Sequence, residues 1–376
     1  MEQIELINYI KSQFIRKFKE YIKKTSKISY EQIISEICYE NTLDEEVVKN
    51  ITEVKTWYDN VYYQKYLKEL VDLNANEIII NNGEEICLIY HDKKEYYFLE
   101  SISKSDFNMS LELLAYRNQH DWNFSKPFIS FQVLLYGVDF RCSLVNSSIK
   151  DRGYHQIFLR TLSKDNYNLC NFVDQELEEE LIRYVTKKKN IIVAGSTGSG
   201  KTTFLNTLIK EVDVNEHIVC LEDTKELSLE NKFATRLLAS NFENKTMKDY
   251  CKYALRMSPD RVILGEIRAE EIVPLVLAMN TGHDGMMSSI HANNAKDTLH
   301  RLALLFTIYS DMGASISYEQ ILKLICTNID IIVFIKNKAV HEVIEVIGSE
   351  KQNPIYNQLY LEDQGFSLSS PLPYVC

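Results

Sequence analysis

Residues 190–210 read NIIVAGSTGSGKTTFLNTLIK. The nine residues from Gly195 to Thr203, GSTGSGKTT, match the pattern G-x-x-x-x-G-K-[ST], with an apolar strand pattern before them and a helical pattern after them. That strand, turn and helix context is what gives such a match physical meaning. Only 12 of the 376 residues are glycine, so a cluster of them reflects a demand of the backbone rather than of composition. Gly195, Gly198 and Gly200 let successive N–H groups close around phosphate oxygens, at the positive end of the following helix. Lys201 would then reach the β- and γ-phosphates and Thr202 would ligate Mg2+, while Ser196, Thr197, Ser199 and Thr203 complete the loop. The segment predicts a nucleotide site.

Outward from this turn, short apolar runs recur at residues 191–194, 217–221, 262–264 and 286–290, with helical patterns between several of them. Strands alternating with helices predict an α/β unit with a largely parallel sheet. Ahead of the first run, residues 174–189 begin acidic and end basic, with Leu177, Leu181, Tyr184 and Val185 on one face, which complements the dipole of a helix. Residues 330–347, DIIVFIKNKAVHEVIEVI, predict a strand pair. This unit is expected over 164–348, with 349–376 as a short, partly extended tail.

The first half of the chain differs in character. Residues 1–70 predict helices, the first with Ile7, Ile10, Phe14, Phe18 and Tyr21 at helical spacing and a basic opposite side built from Lys11, Arg16, Lys17, Lys19, Lys23, Lys24 and Lys27. Two readings of that side stand open: contact with a membrane surface, or a helix packed on its own domain with a solvated face. From Glu77, EIIINNGEEICLIY places two apolar runs around Asn81-Asn82-Gly83, a hairpin signal. Further strands are expected at 96–99, 129–135 and 140–145, making residues 71–163 a small α+β domain.

Composition bounds the function. A net charge of −11 argues against a protein whose main task is gripping nucleic acid, because phosphate neutralisation by Lys and Arg dominates that affinity. Eight cysteines without C-x-x-C spacing predict neither a disulfide scaffold nor a zinc cluster. Uncharged runs fall short of a bilayer span, and the N-terminus lacks the features of a secretory signal.

Phosphate chemistry also needs carboxylates. RVILGEIR (261–268) is an apolar run ending at Glu266, a candidate metal and water ligand, with Gly265 where many such enzymes place aspartate. HIVCLED (217–223) presents Glu222 and Asp223, read either as a group that orients or deprotonates the attacking water or as an acidic cap on the next segment. In TGHDGMMSSIHANN (281–294), His291 falls at a strand end, read either as sensing the γ-phosphate or coupling it to the helix that starts near Ala295, or as a histidine satisfied in the core or at the surface.

Taken in order, EIIINNGEE, GSTGSGKTT, CLEDTKEL, ALRMSPDRVILGEIR and TGHDGMMSSIHANN resemble the secretion-traffic ATPases of type II and type IV secretion systems and type IV pili, over about residues 71–347. Without a four-cysteine zinc cluster the chain is more similar to the type IV secretion and conjugation or tight-adherence pilus subgroup. The resemblance implies an α/β, RecA-like P-loop NTPase C-terminal domain, a smaller α+β N-terminal domain and an N-terminal helical segment, assembled as a homohexamer. It implies ATP and Mg2+ as cofactors, with Lys201 and Thr202 on phosphate and metal and Glu266 acting with the metal and water. Glu222 would be the general base and His291 the γ-phosphate reader. Arg141 (in FRCSLV) and Arg160 (in IFLR) match the N-domain arginines brought to the phosphates, and Arg236 and Arg268 are further charge-stabilising candidates. Asn146-Ser147-Ser148 stands where the family often has a proline pair. The implied setting is cytoplasmic, peripheral to the inner face of the cytoplasmic membrane, beside inner-membrane secretion or pilus machinery and with no specific nucleic acid. A RecA-like nucleic-acid motor and a nucleotide-binding switch with little turnover are the alternatives.

Overall fold

The computed structural model describes residues 3–22, 29–81, 83–90, 93–98, 102–150, 153–162, 167–239, 246–310, 316–362, 365–366 and 374–375. Contacts divide the chain into two units, Met1–Leu162 and Ser163–Cys376.

In the first unit, helices α1 (Gln3–Ile22), α2 (Tyr30–Asn41), α3 (Glu45–Lys49), α4 (Thr52–Tyr62) and α5 (Lys68–Asp72) precede a sheet. Ile10, Phe14 and Phe18 of α1 are buried against Ile33, Ile34 and Ile37 of α2 and Trp57 and Tyr58 of α4, so the apolar spacing of the first helix faces a core. Tyr21 lies outside the residues whose side chains are described. The basic side is drawn into this packing. Lys17 is buried, pairing with Glu40 and with Glu36 at 3.1 Å; Arg16 pairs with Glu40 at 2.5 Å, and the Lys11 ammonium lies over the Trp57 ring at 5.8 Å. These contacts favour the packed reading of α1; Lys23, Lys24 and Lys27 lie outside the described residues. Lys17→Ala is expected to lower the unfolding free energy by about 1–2 kcal/mol, less than for a fully buried pair because both glutamates remain in reach of water. An unchanged melting temperature would contradict this account of the α1–α2 contact.

The sheet comprises β1 (Glu77–Asn81), β2 (Glu85–Ile89), β3 (Lys94–Phe98), then after α6 (Lys104–Arg117), β4 (Phe128–Leu135), β5 (Val138–Val145) and β6 (Gln156–Thr161). All pairs are antiparallel, in the order β3-β2-β1-β6-β5-β4. Alternation of buried and less buried residues along β1, β2 and, from Asp139 onward, β5 gives one face to a core that includes Phe107, Leu111 and Leu114 of α6. The expected hairpin is β1–β2, with Gly83 at φ +72°; Asn82 lies outside the described residues, as does Leu99 at the end of the expected 96–99 strand.

The second unit opens with α7 (Gln175–Thr186), capped by the Asp174 carboxylate accepting the Leu177 N–H at 3.0 Å. It continues β7 (Ile191–Gly195), α8 (Lys201–Lys210), β8 (Ile218–Glu222), β9 (Ala234–Leu238), α9 (Met247–Ala254), β10 (Arg261–Ile267), α10 (Ile272–Met279), β11 (Met287–His291), α11 (Ala295–Tyr309), α12 (Tyr318–Asn328), β12 (Ile331–Lys336), β13 (Ala339–Glu350) and β14 (Asn353–Leu361), with short β15 (Gly365–Phe366) and β16 (Tyr374–Val375). The sheet runs β15-β14-β13-β12-β7-β11-β10-β8-β9, with β16 also on β14. From β12 to β9 it is parallel; β13 onward is antiparallel. Ile191 and Val193 of β7 face α7 and α8, whereas Ile192 and Ala194 join the core of α9 to α12, so both faces are covered and the strand is apolar throughout.

The tail expectation fails in one respect. β13 runs to Glu350, and β14 returns along it with Pro354, Tyr356 and Leu359 buried, so residues up to 361 are integral to the sheet. Alternating apolar positions in NPIYNQLYL carry that strand, and Lys351 at φ +54° makes its turn.

Candidate functional site

Parallel pairing places the C-terminal ends of β7, β8, β10 and β11 along one edge of the sheet, where open α/β sheets bind ligands. Those ends carry the glycine-rich loop, Glu222, Glu266 and His291. Register makes this local: Gly195 pairs with His291 on one side and with Ile335 on the other. A Cβ on Gly195 would stand 2.4 Å from the Ile335 carbonyl oxygen and 2.5 Å from Ser199 Oγ, so no side chain fits there. Gly200, at φ +102°, is the residue that turns the loop into α8.

Lys201, the first residue of α8, is 7% exposed. Its ammonium donates to the Ser196 carbonyl at 2.8 Å and stands 3.2 Å from His291 Nδ1. The same Nδ1 lies 3.2 Å from the Gly195 carbonyl oxygen. An ammonium can only donate, so a bare Nδ1 accepts from Lys201, whereas a protonated Nδ1 donates to Gly195. His291 Nε2 approaches Glu266 Oε1 to 2.9 Å without the alignment of a hydrogen bond, and that oxygen is buried with no hydrogen-bond partner. Glu266 Oε2 accepts from Arg268 Nη2 at 2.7 Å and Nε at 2.9 Å, and Arg268 Nη1 pairs with Asp223. Polar contacts therefore run unbroken from Lys201 through His291, Glu266 and Arg268 to Asp223.

Glu222 is placed differently. It is 3% exposed, its Oε1 accepts the N–H groups of Glu226 and Leu227 at 2.8 Å each, and Arg236 Nη1 stands 3.0 Å from Oε2. Burial raises its pKa above the ordinary carboxylate value, against the lowering effect of those two N–H groups and of Arg236. Arg236 Nη2 donates to the Leu227 carbonyl at 2.6 Å, so Glu222 and Arg236 together pin the segment after β8. Both Glu222 oxygens are engaged within the fold, an arrangement closer to the acidic-cap reading than to a base facing water. Gly265 borders it: a Cβ there would meet Glu222 Cγ at 3.3 Å.

Arg141 and Arg160 are register partners on β5 and β6 of the first unit, on the side away from its core. Arg160 Nε is 3.9 Å from Glu77 Oε1, and Arg141 Nε donates to Ser130 Oγ at 3.4 Å. Like charges directly opposite each other oppose sheet formation, and Glu77 beside Arg160 offsets part of that cost. The turn at Asn146-Ser147-Ser148 closes without proline: Asn146 Oδ1 accepts the Ser148 N–H at 3.0 Å and the buried His155 Nδ1 accepts the Ser147 N–H at 2.9 Å. His155 escaped the sequence reading, as did Lys338, whose N–H donates to the Ser199 carbonyl at 3.0 Å from the β12–β13 turn. The signal for the second was the Asn337-led turn between two apolar runs.

The donor set fits a magnesium nucleotide. The Ser199 hydroxyl and Glu266 Oε1 are buried polar atoms without hydrogen-bond partners beside a glycine cradle and a lysine, and Thr202 follows on the first turn of α8. Fold and site together define a RecA-like P-loop protein.

Comparison with known proteins narrows this. The profile of the family described as "Type II/IV secretion system protein" matches residues 61–348, and the chain belongs to that family. It is 40% identical over 126 residues to a conjugal transfer protein of Mycobacterium tuberculosis, covering 32% of this chain and 36% of that one. The chain thus spans about a third of the length of that relative. It is 26% identical over 333 residues to the type IV secretion system protein VirB11 of Brucella suis, covering 80% and 90%. Among solved structures, the pilus retraction motor PilT with bound ADP superposes with a TM-score of 0.55 at 22% identity, covering 78% of this chain and 81% of that one, a likeness of fold.

Proposed function

We propose that this protein hydrolyses ATP as the motor of a type IV secretion, conjugation or pilus apparatus, working as a homohexamer at the cytoplasmic side of the membrane machinery. Among the described residues no helix is long and apolar enough to cross a membrane; attachment in this reading is peripheral. The observation that carries the reading is the junction of Lys201, His291 and Glu266 at the phosphate loop.

In this reading the loop N–H groups from Gly195 to Gly200, with Ser196, Thr197 and Ser199, hold the α- and β-phosphates. Lys201 leaves the Ser196 carbonyl to meet the β- and γ-phosphates. Thr202 and Glu266 would hold Mg2+, which neutralises phosphate charge and orients the leaving group. Glu266 Oε1, aimed into the site, orients the water that displaces ADP from the γ-phosphorus, and His291 reports whether the γ-phosphate is there. Glu222 and Arg236 act through the segment they pin. Arg268 releases Glu266 when the nucleotide enters, and Arg141 and Arg160 come to the phosphates from the first unit to stabilise charge in the transition state. Their withdrawal after phosphate loss would couple chemistry to movement between units.

Sustained release of phosphate from ATP by the full chain, beyond one equivalent per subunit, is the expected result; a single turnover or none would support the switch instead. Single-stranded DNA should leave that rate within about twofold at moderate salt, because an acidic chain gains little from phosphate neutralisation. Strong, salt-sensitive stimulation would favour a nucleic-acid motor.

A further inference from the structure

The turn between β12 and β13 closes on the phosphate loop from the side of β7 opposite β11. Its two central residues, Asn337 at φ +51° and Lys338 at φ +65°, make the left-handed pair that joins twisted antiparallel strands. Lys338 donates its N–H to the Ser199 carbonyl at 3.0 Å, which turns that carbonyl toward the hairpin. A Cβ built on Gly200 would lie 3.6 Å from Lys338 Cα, 3.9 Å from its Cβ and 4.0 Å from its Cγ. The stem of Lys338 therefore starts directly over the N-cap of α8. Three further bonds separate Cγ from the ammonium, enough to reach the first turn of that helix.

Positive potential accumulates there. The α8 N-terminus is the positive end of a helix dipole, Lys201 is its first residue, and Lys338 adds a third source beside them. A polyanionic ligand seated at the loop is attracted by such an arrangement. Lys201, His291 and Glu266 gather on the β11 side, whereas Lys338 enters from the β12 side at Gly200, where loop N–H groups cradle the α- and β-phosphates.

We infer that Lys338 is a further nucleotide-binding residue, its ammonium serving the α- and β-phosphates that ADP and ATP share. The inference rests on the ATP reading above. It predicts uniform binding: an interaction present with substrate, transition state and product alike changes affinity and KM but little of kcat.

The test compares Lys338→Gln, Lys338→Arg and Lys336→Gln in the full chain, with ADP and ATP affinity by calorimetry and steady-state kinetics. Lys338→Gln should weaken ADP and ATP alike by about 5–10-fold, a charge-assisted contact discounted for partial exposure. KM should rise in proportion, with kcat within about twofold, and Lys338→Arg should restore affinity to within about twofold. Lys336→Gln removes the same charge from the same hairpin and should change affinity by less than about twofold. Equal losses in the two glutamine variants, unchanged affinity in Lys338→Gln, or a loss confined to kcat would each overturn the assignment. Absence of ADP binding by the unaltered protein would instead remove the ATP reading itself.

Discussion

Lys201→Ala is expected to abolish ATP turnover, by at least about a thousandfold, while the protein still folds. In the proposed mechanism Lys201 is the one side chain of the loop that would bring a full positive charge to the β- and γ-phosphates, and that charge would matter most as negative charge shifts between them during cleavage. Its loss removes transition-state stabilisation in a site walled by buried residues, where a charge counts for more than in water. The structural cost is small by comparison. Alanine leaves the Ser196 carbonyl and His291 Nδ1 without their ammonium donor, a loss of about 1 kcal/mol each at most for groups at a solvent-reachable edge. Phosphate release and a thermal melt on the same sample decide the matter. Retained turnover with an intact fold would refute the motor.

Glu266→Gln and Glu222→Gln should separate sharply. Glutamine at 266 keeps shape but removes the negative charge that, in the proposed mechanism, would face metal and water, and turnover should drop by about a hundredfold to a thousandfold with nucleotide affinity largely kept. Glutamine at 222 can still accept the N–H groups of Glu226 and Leu227 through its oxygen, but it presents an amide to Arg236 and weakens the pinned segment. The expected loss there is about tenfold in turnover, accompanied by a lower melting temperature. If Glu222→Gln instead lost as much activity as Glu266→Gln with an unchanged melt, the buried carboxylate would be the base and the assignment of roles would reverse.

What was legible in the chain follows from where its constraints are local. The glycine loop, the Asn81 to Gly83 turn and the acidic start of α7 each state their geometry within a few residues. The apolar strands of the parallel sheet, buried on both faces, announce themselves as unbroken runs. β9 and β14 did not, because they lie toward the rims of the sheet: ATRLL is partly exposed along its length, and NPIYNQLYL begins with asparagine and proline. α6 was hidden by overlapping apolar positions in NMSLELLAYR, which serve two cores at once, Leu113 facing the helical bundle and Leu111 and Leu114 the sheet. At the site, residue types named the chemistry but not the partners. That Arg268 bridges Glu266 and Asp223, or that both Glu222 oxygens are engaged within the fold, depends on strands distant in sequence becoming neighbours.

Gly265 has a meaning of its own in this light. Its bare backbone leaves space that the Glu222 stem on the adjacent strand comes within 3.3 Å of filling. A bulkier residue at 265 would compete with a long acid at 222 for the same volume. The two positions therefore amount to one choice of sizes, and exchanging either alone for the residue another P-loop lineage favours would jam or hollow the space between β8 and β10.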